Sequence, residues 1–94
     1  RAAKSDYIGT VGVRQSFVVT VNHVHPVDGF YGMSYINICR DADDNVIVYK
    51  GDPCWGKGNT VECVANIKEH NVREGEKQTI IKIPKKVTIN GEKL

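Results

Sequence analysis

At 94 residues the chain has room for one domain with a modest core. Its 40% hydrophobic and 26% charged residues exclude a disordered tail, and no run approaches the roughly 18 apolar residues of a membrane-spanning helix. Net charge is only +2, too small to demand a polyanionic partner, but it is unevenly spread. From Lys68 to Leu94 there are seven Lys/Arg against four Asp/Glu, and from Arg40 to Asp52 two against four, so one end is expected to be more basic.

Period-2 alternation dominates, with no convincing helical period. Phe17-Val18-Val19-Thr20-Val21 places Phe17, Val19 and Val21 on one face and opens a first strand running to about Val24. Pro26 to Gly29 is expected to break it, with Asp28-Gly29 as the turn. A second strand is predicted over Tyr31 to Cys39, with Ile36 and Ile38 facing the core and Tyr35 and Asn37 facing out. Asp41 to Asn45 reads as a tight polar turn, followed by a third strand, Val46 to Tyr49, with Tyr49 facing out.

Gly51 to Gly58 is too rich in Gly and Pro for a regular element. A fourth strand covers Thr60 to about His70, with Val61, Cys63, Ala65 and Ile67 on one face. The Glu74-Gly75 turn leads to a fifth strand, Lys77 to Ile83, ended by Pro84. A short piece, Val87 to Ile89, precedes the turn Asn90-Gly91. Five principal strands with short turns predict an all-β, five-stranded antiparallel barrel, because closure removes edges that so small a sheet could not cover. A β-sandwich would want about seven strands.

Cys39, Cys54 and Cys63 are odd in number and unevenly spaced. A small secreted domain would carry a denser, even set, so free thiols in a reducing cytoplasm are expected, and no signal-peptide stretch is seen. The chain opens on Arg1, not Met. Residues 1–94 are read as a single domain with its core at about 12–89, either a processed protein or a domain excised from a longer chain.

Several motif-like patterns fail on chemistry. Gly51-x-x-x-x-Gly56-Lys57 matches a phosphate loop until Gly58, where a Ser or Thr should hold magnesium, and no helix follows. Asp41-x-Asp43-x-Asn45 starts like a calcium loop, but Val46 stands where the sharp turn needs Gly. Cys39, Cys54, Cys63 and His70 contain no close pair of the kind structural zinc sites use. His23 and His25 share a strand face and read as an exposed pair more readily than as metal ligands. No nucleophile–base or paired-carboxylate arrangement is persuasive, so neither catalysis, metal nor cofactor is expected.

The segment Gly12 to Val87 resembles OB-fold (oligonucleotide/oligosaccharide-binding) domains of bacteriophage replication and recombination proteins. The resemblance rests on Gly12 with Phe17, Gly29-Phe30-Tyr31-Gly32, Tyr35-Ile36-x-Ile38 and the Asp-rich turn with Asn45. Its most specific part is Lys68-x-His70 followed by Gly75-x-Lys77-Gln78-Thr79. Trp55 departs from the pattern by lying beyond the third strand. The resemblance implies an OB barrel that binds single-stranded DNA, encoded by a phage and acting in the bacterial host cytoplasm, with replication or recombination proteins as further partners. Some such domains are instead protein-contact modules.

OB barrels hold strands by stacking bases on aromatics and tracking phosphates with cations. The candidate stacking residues are Phe30, Tyr31, Tyr35, Tyr49 and Trp55. The candidate backbone contacts are Lys68, His70, Lys77 and Lys82, with Lys85 and Lys86 beside them. A protein-interaction or inhibitor module on the same barrel is the alternative, favoured by the small net charge. RNA in place of DNA would differ by 2′-hydroxyl contacts that no residue here predicts.

Overall fold

The structure is a computed structural model that describes residues 5–93. Its six strands are β1 (Arg14–Gly29), β2 (Gly32–Arg40), β3 (Val46–Gly51), β4 (Thr60–Arg73), β5 (Glu76–Ile89) and β6 (Glu92–Lys93). The sheet order is β3-β2-β1-β4-β5-β6, and an additional β3–β5 ladder closes the first five into a ring. The expected five-stranded barrel is therefore present, with one difference. Val46–Tyr49 pairs with Gln78–Ile81 in parallel, whereas every other ladder is antiparallel. Among the described residues there is no helix, and none is long and apolar enough to cross a membrane.

Strand lengths exceed the sequence expectation, and bulges explain how. At 3.3 Å per residue a straight β1 would span roughly 50 Å, but the molecule is 34 Å in its longest dimension. β1 bends at a bulge between Val21 and His23. Pro26 does not break it. Beyond Thr20 β1 has no β4 partner and pairs only with β2, so Pro26 lies on a strand with a free edge, where a missing N–H is tolerated. The turn falls on Phe30-Tyr31, closed by the Gly29–Gly32 pair. Pro84 likewise does not end β5. Two successive bulges opposite Glu62–Val64 and Val64–Asn66 absorb it, each inserting one extra residue into β5. The Glu74-Gly75 and Asn90-Gly91 turns stand where expected, both residues of each having positive φ, as a two-residue hairpin turn of the favoured twist requires.

The barrel interior holds Phe17, Val19 and Val21 from β1, Cys39 from β2 and Ile47 from β3. β4 adds Val61, Cys63, Ala65 and Ile67, and β5 adds Ile81. Facing in β2 is the reverse of the expectation. Asn37 and Cys39 are fully buried inside, and Ile36 and Ile38 lie on the outer face against Val46, Val48 and Ile80. Asn37 is tolerated inside because all its polar atoms are satisfied. Its Nδ2 donates to the carbonyls of Tyr49 (3.3 Å) and Pro53 (3.1 Å), and its Oδ1 accepts from the Trp55 N–H (3.0 Å).

That amide seats the β3–β4 loop over one end of the barrel, with Trp55 only 1% exposed and packed into the core. Ser5 to Ile8 cover the end where β3 begins. Ser5 Oγ donates to the Lys77 carbonyl and accepts from the Val46 N–H, Asp6 N donates to Asn45 Oδ1, and Ile8 N donates to Thr79 Oγ1. The aspartate run is a hairpin turn, as read from sequence. Asp41 Oδ1 accepts from the N–H groups of Asp43 and Asn45, both at 2.9 Å.

Candidate nucleic-acid interface

The ladders fix which side chains meet on the outer face. One row across the sheet runs His23, Ile38, Val48, Ile80, Glu69, and a shorter one runs His25, Ile36, Lys50. Ile36, Val48 and Ile80 floor a groove of about 130 Å³. Lys50 rises from β3, Lys68 and Arg73 from β4, and the amides of Asn71 and Gln78 lie between them. Glu69 is the one carboxylate of this lining. Among the described residues Lys50, Lys68 and Arg73 have no ion-pair partner, so the groove carries a positive excess over an apolar floor.

Other cations nearby are already engaged. Arg40 pairs with Glu76 at 3.0 Å and with Asp44 at 3.6 Å. Arg14 donates to Asn66 Oδ1 and the Val64 carbonyl. Beyond the groove the β1–β2 hairpin projects Phe30 and Tyr31, 98% and 101% exposed, with ring centroids 5.6 Å apart. No other aromatic is so open.

The expected site residues divide into three groups. Phe30 and Tyr31 stand at the rim as anticipated, Lys68 walls the groove, and Lys82 is exposed along β5. The aromatics expected on the outer face are not there. Trp55 is buried, and Tyr49 stacks on it with centroids 4.8 Å apart. Tyr35, half-buried, shares the side of β2 that Asn37 and Cys39 occupy and lies opposite Pro26 and Gly51. Their facing is corrected because β2 turns Asn37, not Ile36, inward. His70 and Lys77 are held by the N-terminal segment. His70 stacks on Tyr7 (4.5 Å, 9°) and its Nε2 donates to the Ile8 carbonyl, while Lys77 reaches Asp6 at 3.3 Å and lies over the Tyr7 ring.

Sequence reasoning missed Lys50, Arg73 and the apolar floor. The unbroken apolar run Val46-Ile47-Val48 was the available signal, since it marks a strand covered on both faces. The histidines stand exposed, as read from sequence: the bulge after Val21 puts Val24 against the core and His23 and His25 outside, ring centroids 4.2 Å apart.

The thiols offer no reactive centre in the interior. Burial pushes the Cys39 thiol up to about 12, with Cys63 adding to the effect, and burial pushes Cys63 up to about 11 against the pull of Arg14. Burial also raises the Tyr49 hydroxyl, with Asp52 and Cys63 contributing. Among the described residues no three His, Cys, Asp or Glu side chains gather as a metal site would need.

No family model, curated protein or solved structure matches the chain.

Proposed function

We propose that this domain is an OB-type single-stranded DNA-binding module, without catalysis of its own, that serves DNA replication or recombination as the phage domains it resembles do. The carrying observation is the groove over β2, β3, β4 and β5, whose unpaired Lys50, Lys68 and Arg73 stand over an apolar floor. Cations on both sides of such a floor suit a strand that turns phosphates outward and bases down. The ring order β1-β2-β3-β5-β4 with its parallel closure supports the reading, since OB barrels bind on the strand 2–3 face and its flanking loops. Phe30 and Tyr31 supply open ring faces at one such loop.

The test is fluorescence anisotropy of a labelled oligothymidine at low and raised salt. Lys68→Ala with Arg73→Ala should weaken binding about tenfold or more and leave the urea midpoint unchanged. Absence of binding by the unaltered chain at low salt would overturn the proposal. The second reading, a protein-contact module, is favoured by the apolar hairpin tip, where Val27 and Met33 are also exposed. It would then be the tip variant Phe30→Ala/Tyr31→Ala, not the groove variant, that loses its partner.

A further inference from the structure

The second half of β5 has features that neither the barrel nor the groove uses. Ile83 and Lys86, three residues apart, both adopt positive φ, 52° and 53°, in a region that a β-branched residue rarely enters. They fall in the two bulged intervals, so each bulge places a non-glycine residue where glycine is usual. Lys82, Lys85 and Lys86 follow one another, all exposed, along this doubly bulged stretch, with Lys93 of β6 directly opposite Thr88. None of these four lysines has an ion-pair partner among the described residues. Two hollows adjoin here, and both are lined by Lys86 and Thr88. The Thr88 hydroxyl is buried and makes no hydrogen bond within the described residues, although a buried hydroxyl ordinarily finds one.

We propose that this kinked end of β5 is a second anion-binding subsite, separate from the groove, which takes a phosphate oxyanion between Lys86, Lys93 and the Thr88 hydroxyl. The hydroxyl donates to the oxyanion and the ammonium groups neutralise it. Glu62, which lines one of the hollows, and Glu92 of β6 are the carboxylates nearby in the sheet, leaving the lysines in excess. The source of the phosphate rests on the strand-binding reading. A strand leaving the groove beside Ile80 meets Lys82 and then Lys86 along the same β5, so only a longer strand reaches the subsite.

Two measurements on the full chain test this. In the first, inorganic phosphate is titrated while amide shifts are followed by NMR. Lys86, Thr88 and Lys93 should move, and the movement should vanish in Thr88→Val combined with Lys86→Gln; no movement at these three overturns the subsite. In the second, labelled oligothymidines of about 6 and about 15 nucleotides, within the site sizes of such folds, are compared. Lys86→Gln with Lys93→Gln should weaken the longer one about tenfold and leave the shorter unchanged. Phosphate-induced shifts with no length-dependent loss would assign the subsite to free phosphate and overturn the strand as its source. Failure of the short oligonucleotide to bind the unaltered chain would instead count against the groove. Lys86→Gly, which suits the left-handed backbone, should weaken long-strand binding without loss of stability; a loss of stability with it would mean that the side chain is structural.

Discussion

Asn37 shows how much one side chain can hold. Its amide joins β2 to the backbone of β3 and of the loop that carries Trp55. Asn37→Leu leaves the buried Trp55 N–H unpaired, and the cost should be about 1–3 kcal/mol, read as a lower urea midpoint with an unchanged slope. The cysteines differ as sharply. Cys54 is exposed while Cys39 and Cys63 are buried, so a thiol reagent should titrate one cysteine in the native protein and three in denaturant. The raised thiols also set a pH dependence. An unfolded cysteine ionises near the ordinary value of 9.0, but Cys39 in the fold resists until about 12. Its contribution is therefore complete below about pH 9 and falls away as pH rises toward 12. Between about pH 8 and pH 11 the midpoint should drop, and Cys39→Ala should lessen the drop.

At the level of elements, the two coverings of the barrel are the points to break. Trp55→Ala should cost about 3–5 kcal/mol, since the ring fills core space and stacks on Tyr49. Because that ring is buried, its fluorescence should report unfolding and respond little to added oligonucleotide. The N-terminal segment explains the most specific stretch of the sequence in structural terms. His70, Lys77 and Thr79 hold Tyr7, Asp6 and Ile8, and Gly75 makes the hairpin turn between them. His70 and Lys77 read as ligand contacts because a cation that grips a neighbouring segment and one that grips a phosphate look the same in sequence.

The five principal strands, three of the four turns and most of the core were legible for a plain reason: β1 before Asn22 and β4 up to Ile67 alternate without interruption, while the first turn moved from Asp28-Gly29 to Phe30-Tyr31. Bulges were not legible. A single inserted residue reverses every facing beyond it, which is how Val24, and not His23, comes to pack against the core. Polar Asn37 in the interior was equally hidden, since its partners are backbone groups 12 to 18 residues away. The reversed facing of β2 is what carried Tyr35 and Tyr49 to the wrong side of the sheet, since both share the side of Asn37.

For the molecule as a whole, the charge distribution gives the most direct prediction. Affinity for a single strand falls with salt at about 0.7 log units per log unit for each phosphate neutralised. Removing Lys50, Lys68 and Arg73 together should flatten that slope by about 2, a change measurable from titrations at several salt concentrations. A slope left unaltered would place the phosphates elsewhere on the barrel.

The parallel β3–β5 ladder bears on how the chain reaches this state in time. It joins residues 46–49 to residues 78–81, so it cannot form until β4 has looped back, whereas the β1–β2 and β4–β5 hairpins assemble from neighbours. A sheet this rich in long-range pairings places folding in the slow range for small domains, milliseconds to seconds, and the β1–β2 and β4–β5 hairpins are expected to carry the rate-limiting step, with the seam sealed after it. Val48→Ala and Ile80→Ala should then speed unfolding and leave the refolding arm of a stopped-flow chevron where it was. A slowed refolding arm would mean that the seam is instead part of the nucleus.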